Sequence, residues 1–267
     1  MTQIIALSGK KQSGKTTLSN YLHGHEMKRH DIIEKFFISQ DGNLVVNCTF
    51  HDESGKEFEE MGVLDLQQTS DEFFQYASRR IWPLVRAYNF ADALKEMCVM
   101  LFNIPPECVY GTDEQKNQPQ EHLLWENMPG VITCSEVWDS LCSDGEPDGL
   151  MYHAAGPMTA REFMQYLGTD IMRKMYEPIW VNSCIRKIQR EQSQLAIIAD
   201  VRFGNEAKAI EEAGGKLVRL TRNIYNDDHS SEVALDDYPF TNYIDNSDTN
   251  IDDLTVKVKK FYNHLKV

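Results

Sequence analysis

The sequence of 267 residues lacks several features that mark common classes of protein. No stretch approaches the roughly 18 apolar residues of a membrane span, and the start, MTQIIALSG, has no basic region typical of a secretory signal. The six cysteines form no C-x-x-C pair, which argues against a zinc site or disulfides and fits free thiols in a reducing compartment. We therefore predict a cytoplasmic protein that does not bind a membrane.

Positive charge is also scarce. The chain has 27 Lys and Arg residues against 41 Asp and Glu residues, for a formal net charge of −14. The mean field of such a protein repels DNA and RNA, so we predict no direct nucleic-acid binding. Any polyanion that the protein binds must be small and held locally. The hydrophobic share of 42% and the charged share of 25% are ordinary for a folded globular chain.

Short apolar strands alternate with helical stretches along much of the chain, which predicts a parallel, doubly wound α/β sheet. Five segments have the character of strands: QIIAL (3–7), AYNF (87–90), QLAIIAD (194–200), KLVRLTR (216–222) and YIDN (243–246). Helices are predicted from Lys15 to about His25, near 70–80, and over 91–102, 159–174, 205–215 and 251–265.

Two segments interrupt this alternation. The β-rich stretch at about 30–75 contains a DGN turn between two strand-like runs, which predicts an inserted hairpin or small β-meander. The stretch at about 103–158 is rich in proline, glycine and acidic residues, which predicts an irregular, partly mobile lid that closes over bound substrates. We accordingly expect one domain over 1–267 with these two excursions.

The first strand runs into Gly9-Lys10-Lys11-Gln12-Ser13-Gly14-Lys15-Thr16, which fits the P-loop pattern G-x-x-x-x-G-K-[ST]. Glycines let main-chain N–H groups surround phosphates, and the following helix presents its positive end to the same anions. Lys15 is expected to reach the β- and γ-phosphates, and the Thr16 hydroxyl to ligate Mg²⁺. The predicted ATP-binding residues in this segment are Gly9, Lys11, Ser13, Gly14, Lys15, Thr16 and Thr17.

Two classes of P-loop protein fit poorly. The chain has no Asn/Thr-Lys-x-Asp sequence, with which a GTPase would read guanine. An ATPase that acts on nucleic acid normally has a strand ending in Asp-Glu and a basic surface, whereas here the strand LAIIA ends in Asp200-Val201-Arg202 and the protein is acidic. These absences favour a kinase for a small molecule.

Several further blocks occur in order along nearly the whole chain: FADALKE, YGTDEQKN, WENMP, MTAREFMQYLGTDIMR followed by Trp180, ADVRFGNE, RLTR with DDHSSE, and YIDN. With GKKQSGKTT, they resemble the phage deoxynucleoside monophosphate kinase family, which includes the T-even phage enzyme. One departure is Gly204, where the family usually has proline, and this loosens the turn that places Glu206.

The resemblance implies a three-layer α/β/α P-loop kinase fold with a five-stranded parallel sheet in the order 2-3-1-4-5. It further implies Mg-ATP as donor, a deoxynucleoside 5′-monophosphate (dNMP) as acceptor, commonly a homodimer, and the host cytoplasm if a phage encodes the chain. By position it assigns acceptor binding to Lys95, Gly168, Thr169, Trp180, Asp200, Arg202 and Glu206.

Arginines are the side chains best suited to align two phosphates and to neutralise charge during phosphoryl transfer. Arg202 follows a strand end, where ligands bind in such sheets, and can clamp the acceptor phosphate; a surface ion pair with Glu206 is the alternative. Asp200 can hold a metal-bound water, accept hydrogen bonds from the acceptor, or cap a helix. Lys15, Arg202 and Arg173 are the predicted catalytic residues.

Other candidates have a plain structural alternative. On one continuous α-helix, Arg161 and Arg173 would lie 120° apart, so we expect Arg173 to face the phosphates and the acceptor, and Arg161 to be solvated. Trp180 can stack on the acceptor base or belong to the core, and Lys95 can bind the acceptor phosphate or lie in solvent.

The strand KLVRLTR carries two arginines. Arg222, at the strand exit, is a predicted ATP-binding residue, whereas Arg219 is expected to face outward. His229, within DDHSSE, is expected to lie in a capped loop beside the donor and not to act as a base, because the acceptor phosphate is already ionised at neutral pH.

The sequence thus predicts transfer of the γ-phosphate of ATP to a dNMP, giving ADP and a deoxynucleoside diphosphate. Two alternatives stay open: a kinase for another phosphorylated small molecule, such as dephospho-coenzyme A, and a nucleic-acid-dependent ATPase.

Overall fold

The computed structural model describes residues 2–51, 57–68, 70–133, 151–223 and 234–265. Within these ranges the strands are β1 Gln3–Ser8, β2 Phe36–Ile38, β3 Leu44–His51, β4 Glu57–Val63, β5 Val85–Tyr88, β6 Pro119–Leu124, β7 Val131–Thr133, β8 Met151–His153, β9 Pro157–Thr159, β10 Leu195–Ile198, β11 Lys216–Leu220 and β12 Tyr243–Ile244.

The α-helices are α1 Lys15–Arg29, α2 Asp71–Arg80, α3 Asp92–Phe102, α4 Pro106–Tyr110, α5 Asp113–Lys116, α6 Ala160–Gln165, α7 Ile179–Glu191, α8 Gly204–Glu212 and α9 Ile251–Leu265. A 3₁₀ turn spans Trp125–Asn127, and a π-helix spans Tyr166–Arg173.

Five strands form one parallel sheet, in the spatial order β5-β10-β1-β11-β12. Numbered among themselves in chain order, these strands run 2-3-1-4-5, as the resemblance implies. The predicted parallel α/β sheet is therefore confirmed. The central strand β1 lies between β10 and β11, so the loop that follows β1 emerges at the middle of the carboxyl edge, where doubly wound sheets bind their ligands.

Residues on the sheet strands alternate between two hydrophobic cores, as strand geometry requires. On one face Leu7, Ile197 and Val218 pack with α1, α2 and α9. On the other face, the cluster that contains Ala6 and Ile198 packs with α7 and α8. Helices on both faces give the three-layer α/β/α arrangement.

The β-rich insertion is a three-stranded antiparallel meander in the order β2-β3-β4. It packs on α1 at Gly24, where an added Cβ would lie 2.4 Å from the Phe36 ring and 2.7 Å from Leu44. The absence of a side chain at that position lets the meander approach the helix closely. The turn between β2 and β3 also reaches α1, because the Asn20 side chain donates to the Gly42 carbonyl at 2.9 Å.

The chain divides into two compact units, Met1–Phe90 with Val181–Val267, and Ala91–Trp180. The first unit contains the parallel sheet and the meander. The second has its own hydrophobic core, which includes Cys98, Trp125, Met158 and Phe163. The description of the chain as one domain with two excursions stays a prediction.

Three local expectations need correction. The second sheet strand is Val85–Tyr88, two residues earlier than predicted, because its pairing with β10 ends at Tyr88. The helix predicted over 159–174 changes from α to π at Tyr166, so the 120° separation of Arg161 and Arg173 does not apply. The described parts of 103–158 contain short helices and strands rather than irregular chain, because their apolar residues enter the core of the second unit.

No helix among the described residues is both long enough and apolar enough to cross a membrane.

Candidate active site

The P-loop leads from β1 into α1 without a side-chain cap. Gly14 occupies the N-cap position in the left-handed conformation, with φ of 95°, and no side chain caps the helix there. Glycine suits this conformation because it has no Cβ, whereas residues with a Cβ adopt it at a cost in free energy. The first N–H groups of α1 therefore lack a capping side chain, which is the arrangement that binds phosphate at a helix start.

Lys15 folds back over the loop. Its ammonium donates to the carbonyls of Gly9 at 2.6 Å and Lys10 at 3.0 Å, and it lies 3.9 Å from an Asp200 oxygen. The side chain is only 13% exposed, so its charge is confined near the centre of the loop. The predicted phosphate-binding lysine thus lies where the carboxyl ends of β1 and β10 meet.

The other predicted ATP-binding residues occupy different environments. The Ser13 hydroxyl is buried and makes no hydrogen bond, so it is available to a group that enters the loop. Lys11 and Thr16 are exposed, and Thr17 is half-buried. Thr17 lies beside the meander turn, because an added Cβ on Gly42 would be 2.5 Å from its hydroxyl. Their roles toward ATP stay predictions.

The turn after β10 brings together two predicted acceptor residues. Arg202 Nε donates to Asp200 Oδ2 at 2.7 Å, and both side chains are about two-fifths exposed. The turn is joined to the central strand, because the Val201 N–H donates to the Leu7 carbonyl at 3.0 Å. Asp200 therefore lies between the P-loop lysine and the arginine predicted to bind the acceptor phosphate.

Glu206 is 4% exposed and binds the same turn from within. Its carboxylate accepts from the main-chain N–H groups of Arg202 at 2.9 Å and Phe203 at 3.1 Å. The Arg202 guanidinium forms an ion pair with Asp200, while Glu206 binds the main chain of the turn. Glu206 fixes the main chain that carries Arg202, and its contact with the acceptor stays a prediction.

Gly204 is the first residue of α8, where the family usually has proline. An added Cβ there would meet nothing within 4 Å, and the preceding Phe203 is extended, with φ of −122° and ψ of 152°. Both features suit proline at the first helical position. Glu206 makes its capping bonds here without proline, so the departure does not abolish this turn.

In the second unit, Gly168 and Trp180 are in contact. The Trp180 indole N–H donates to the Gly168 carbonyl at 3.0 Å, and the ring is 6% exposed. An added Cβ on Gly168 would lie 2.8 Å from a Leu94 methyl group, so a side chain at this position would displace Leu94. These contacts match the core interpretation of Trp180, and stacking on the acceptor base stays a prediction.

Lys95 lies on α3 with its ammonium 5.1 Å from the centre of the Tyr110 ring. Burial lowers the pKa of Lys95, and the charge of Lys116 lowers it further. Lys95 is half-buried, and its contact with the acceptor phosphate stays a prediction. Thr169 is exposed and Arg173 is half-buried, both on the π-helix, and their roles stay predictions.

Comparison with known proteins gives three matches. The deoxynucleotide monophosphate kinase family model matches residues 145–258. The "Putative deoxynucleotide monophosphate kinase" of Acanthamoeba polyphaga mimivirus is 31% identical over 164 residues, which cover 55% of this chain and 67% of that protein. The "Deoxynucleoside-5'-monophosphate kinase" of Escherichia phage T5 is 24% identical over 210 residues, which cover 67% of this chain and 83% of that protein.

The chain belongs to the deoxynucleotide monophosphate kinase family. It is therefore a kinase, an enzyme that transfers a phosphoryl group from ATP. The family match begins at residue 145 and so lies outside the P-loop. The P-loop and the family model consequently support the kinase assignment from different parts of the chain.

The oxygen donors near the P-loop suit Mg²⁺ that arrives bound to a nucleotide. The described residues contain no group of three or more His, Cys, Asp or Glu that could cage a metal. They do provide the exposed Thr16 hydroxyl and the Asp200 carboxylate, which are hard oxygen ligands. Mg²⁺ in kinases commonly takes one or two such ligands together with substrate phosphates.

Sequence reasoning missed an ion-pair network behind the kinase P-loop. Arg219, which was expected to face outward, is 13% exposed and donates to Ser8 Oγ at 2.9 Å and to Asp236 at 2.6 Å. The outward prediction is wrong because Arg219 lies on an inner strand, where Ser8 and Asp236 provide acceptors. Asp236 also accepts from Lys10 at 2.7 Å, which turns that loop side chain toward β11.

Arg222 is half-buried at the exit of β11, and its main-chain N–H donates to Asn246 at 2.9 Å. Its contact with ATP stays a prediction. His229 and the DDHSSE segment lie outside the described residues.

Proposed function

We propose that this kinase transfers the γ-phosphoryl group of Mg-ATP to the phosphate of a dNMP. The observation that carries the proposal is the meeting of Lys15, Asp200 and Arg202 at the carboxyl ends of β1 and β10. Lys15 lies 3.9 Å from Asp200, and Asp200 accepts from Arg202 at 2.7 Å. Two cations on either side of one carboxylate suit a reaction between two phosphates.

In this proposal the P-loop N–H groups and Lys15 bind the β- and γ-phosphates, and Arg202 binds the acceptor phosphate. Bound Mg²⁺ would neutralise developing charge on the phosphates, with Thr16 and Asp200 as its candidate ligands. Asp200 also orients Arg202 through the Nε–H bond, and Glu206 holds the main chain beneath it. No protein base is required, because an ionised phosphate is the nucleophile.

The remaining predicted residues complete the proposal. Arg173 contributes charge during transfer, while Lys95, Gly168, Thr169 and Trp180 contact the acceptor. The homodimer, the cytoplasmic location and the absence of nucleic-acid binding also stay predictions.

The test is ADP release with a panel of acceptors: the four common dNMPs, the matching ribonucleotides and dephospho-coenzyme A, each with and without single-stranded DNA. We expect turnover with at least one dNMP and no stimulation by DNA. Lys15→Ala should reduce that turnover by about 10²–10³-fold, because it removes a charge that stabilises the transition state.

Lys208→Ala is the matched control, since Lys208 pairs with Glu212 on the exposed side of α8. It should retain wild-type turnover. Turnover with dephospho-coenzyme A alone, or ATP hydrolysis that depends on DNA, would replace the proposal with one of its alternatives.

A further inference from the structure

Asn246 connects the P-loop to the exit of β11 although it lies far from both in sequence. Its side-chain Nδ2 donates to the Ser13 carbonyl at 2.8 Å, and its Oδ1 accepts from the Arg222 N–H at 2.9 Å. Its own main-chain N–H donates to the Thr221 hydroxyl at 3.2 Å. The residue is 1% exposed, so its side-chain amide is shielded from water.

The two hydrogen-bond partners of the Asn246 side chain explain why an amide is needed at this position. The Ser13 carbonyl can only accept, and the Arg222 N–H can only donate, so one side chain must do both. Aspartate would place an acceptor against the Ser13 carbonyl, and leucine would leave both partners unpaired. A buried unpaired polar group is costly, and the amide of Asn246 avoids that cost on both sides.

The bond to Ser13 also fixes a peptide plane in the P-loop. In a planar trans peptide the carbonyl and the next N–H point in opposite directions. Because the Ser13 carbonyl points to Asn246, the Gly14 N–H points away from Asn246. Gly14 immediately precedes Lys15, so this bond sets the direction of a main-chain donor beside the phosphate-binding lysine.

We propose that Asn246 is a positioning residue of the donor site, which holds the Ser13–Gly14 peptide and the Arg222 main chain in one arrangement before ATP binds. The inference rests on the proposed function only in taking the P-loop as the ATP site. It predicts that loss of the amide weakens ATP binding while the acceptor site is unaffected.

The test compares Asn246→Ala and Asn246→Asp with wild type. The matched control is Asn242→Ala, because Asn242 flanks the other end of β12 and its amide donates at 3.0 Å to the Leu217 carbonyl. Measurements are the Kd of a non-hydrolysable ATP analogue with Mg²⁺, the KM values for ATP and for dNMP, and the melting temperature.

We expect both Asn246 variants to raise the Kd and the ATP KM by about tenfold, as for a lost hydrogen bond in a buried site, with the dNMP KM within about twofold. Asn242→Ala should lower the melting temperature to a similar extent but leave the ATP KM unchanged. An unchanged Kd in the Asn246 variants, or an equal rise in both KM values, would overturn the inference.

A third variant and the binding of the analogue to the wild-type protein cover the cases in which the Asn246 variants do not fold or the proposed function is wrong. If neither Asn246 variant folds, Thr221→Val removes the exposed hydroxyl that receives the Asn246 N–H, and it should raise the Kd by about two- to threefold; no change would overturn the inference. Binding of the analogue does not need an acceptor, so wild-type binding without dNMP turnover would refute the proposed function and still test Asn246.

Discussion

The loops that follow β1 and β10 lie at neighbouring strand ends, but they are built to bind in different ways. The P-loop after β1 offers main-chain N–H groups, made accessible by Gly9 and Gly14. The turn after β10 offers the side chains of Asp200 and Arg202, which pair with each other, and the buried Glu206 holds the main chain of this turn. The first loop depends on backbone conformation and the second on side-chain contacts.

This difference predicts separable effects of mutation. Arg202→Ala should lower kcat/KM for the dNMP by about 10- to 100-fold, because one charged hydrogen-bond donor is lost. The Kd of an ATP analogue should stay within about twofold of wild type, because the P-loop donors are unchanged. Steady-state kinetics with each substrate varied in turn, together with analogue titration, measure both quantities.

Arg161→Ala serves as the control for this prediction. Arg161 pairs with Asp113 at the surface, at 2.5 Å, and its loss should leave both parameters near wild type. Equal losses in ATP binding and acceptor use with Arg202→Ala would contradict the separation of the two loops.

The same difference explains what could be predicted from the sequence. The P-loop is contiguous, and its function resides in the backbone, so Gly9 to Thr16 identify it directly. The hydrogen bonds from Arg219 to Ser8 and from Asn246 to Ser13 could not be predicted, because they join residues 211 and 233 positions apart. The roles of Ser8 and Ser13 as partners depend entirely on the folded chain.

The second unit was harder to predict for another reason. Its short strands, such as Val131–Thr133 and Pro157–Thr159, have three residues each, too few to show a period-two pattern. The π-helix at Tyr166–Arg173 follows an ordinary capping box at Thr159, and its sequence pattern is that of an α-helix. Composition alone therefore suggested irregular chain where the described residues form short helices and strands around a hydrophobic core, and closure of this region as a lid stays a prediction.

The helix that follows each loop contains a buried polar residue, His23 in α1 and Glu206 in α8. The histidine makes the stability of the folded protein depend on pH. His23 on α1 is 3% exposed, and burial lowers its pKa to about 4 from 6.5, although Nδ1–H donates to the Ser19 carbonyl at 2.9 Å. The unfolded chain binds a proton at higher pH than the folded protein. Stability should therefore be full above about pH 7 and fall by about 1.4 kcal/mol per pH unit between 6.5 and 4.

Urea unfolding at pH 8.0 and pH 5.5 measures this loss. His23→Asn keeps a donor for Ser19 but cannot titrate, so it should remove about 1.4 kcal/mol of the pH dependence. His264→Gln, at an exposed position on α9, should retain the wild-type dependence. An identical pH dependence in wild type and His23→Asn would show that His23 does not cause the loss.

The smallest effect concerns the start of α8, where the second loop departs from its family. Gly204→Pro should raise stability by about 0.4–1 kcal/mol and the melting temperature by about 1–4 °C, because proline restricts the unfolded chain and fits the first helical position. Gly214→Pro is the matched control, since Gly214 follows the same helix with φ of 78°, which proline cannot adopt, and it should lower the melting temperature. Since Glu206 already holds the turn, Gly204→Pro should change the dNMP KM by less than about twofold. A larger change would mean that the backbone of the second loop, and not only its side chains, determines acceptor binding.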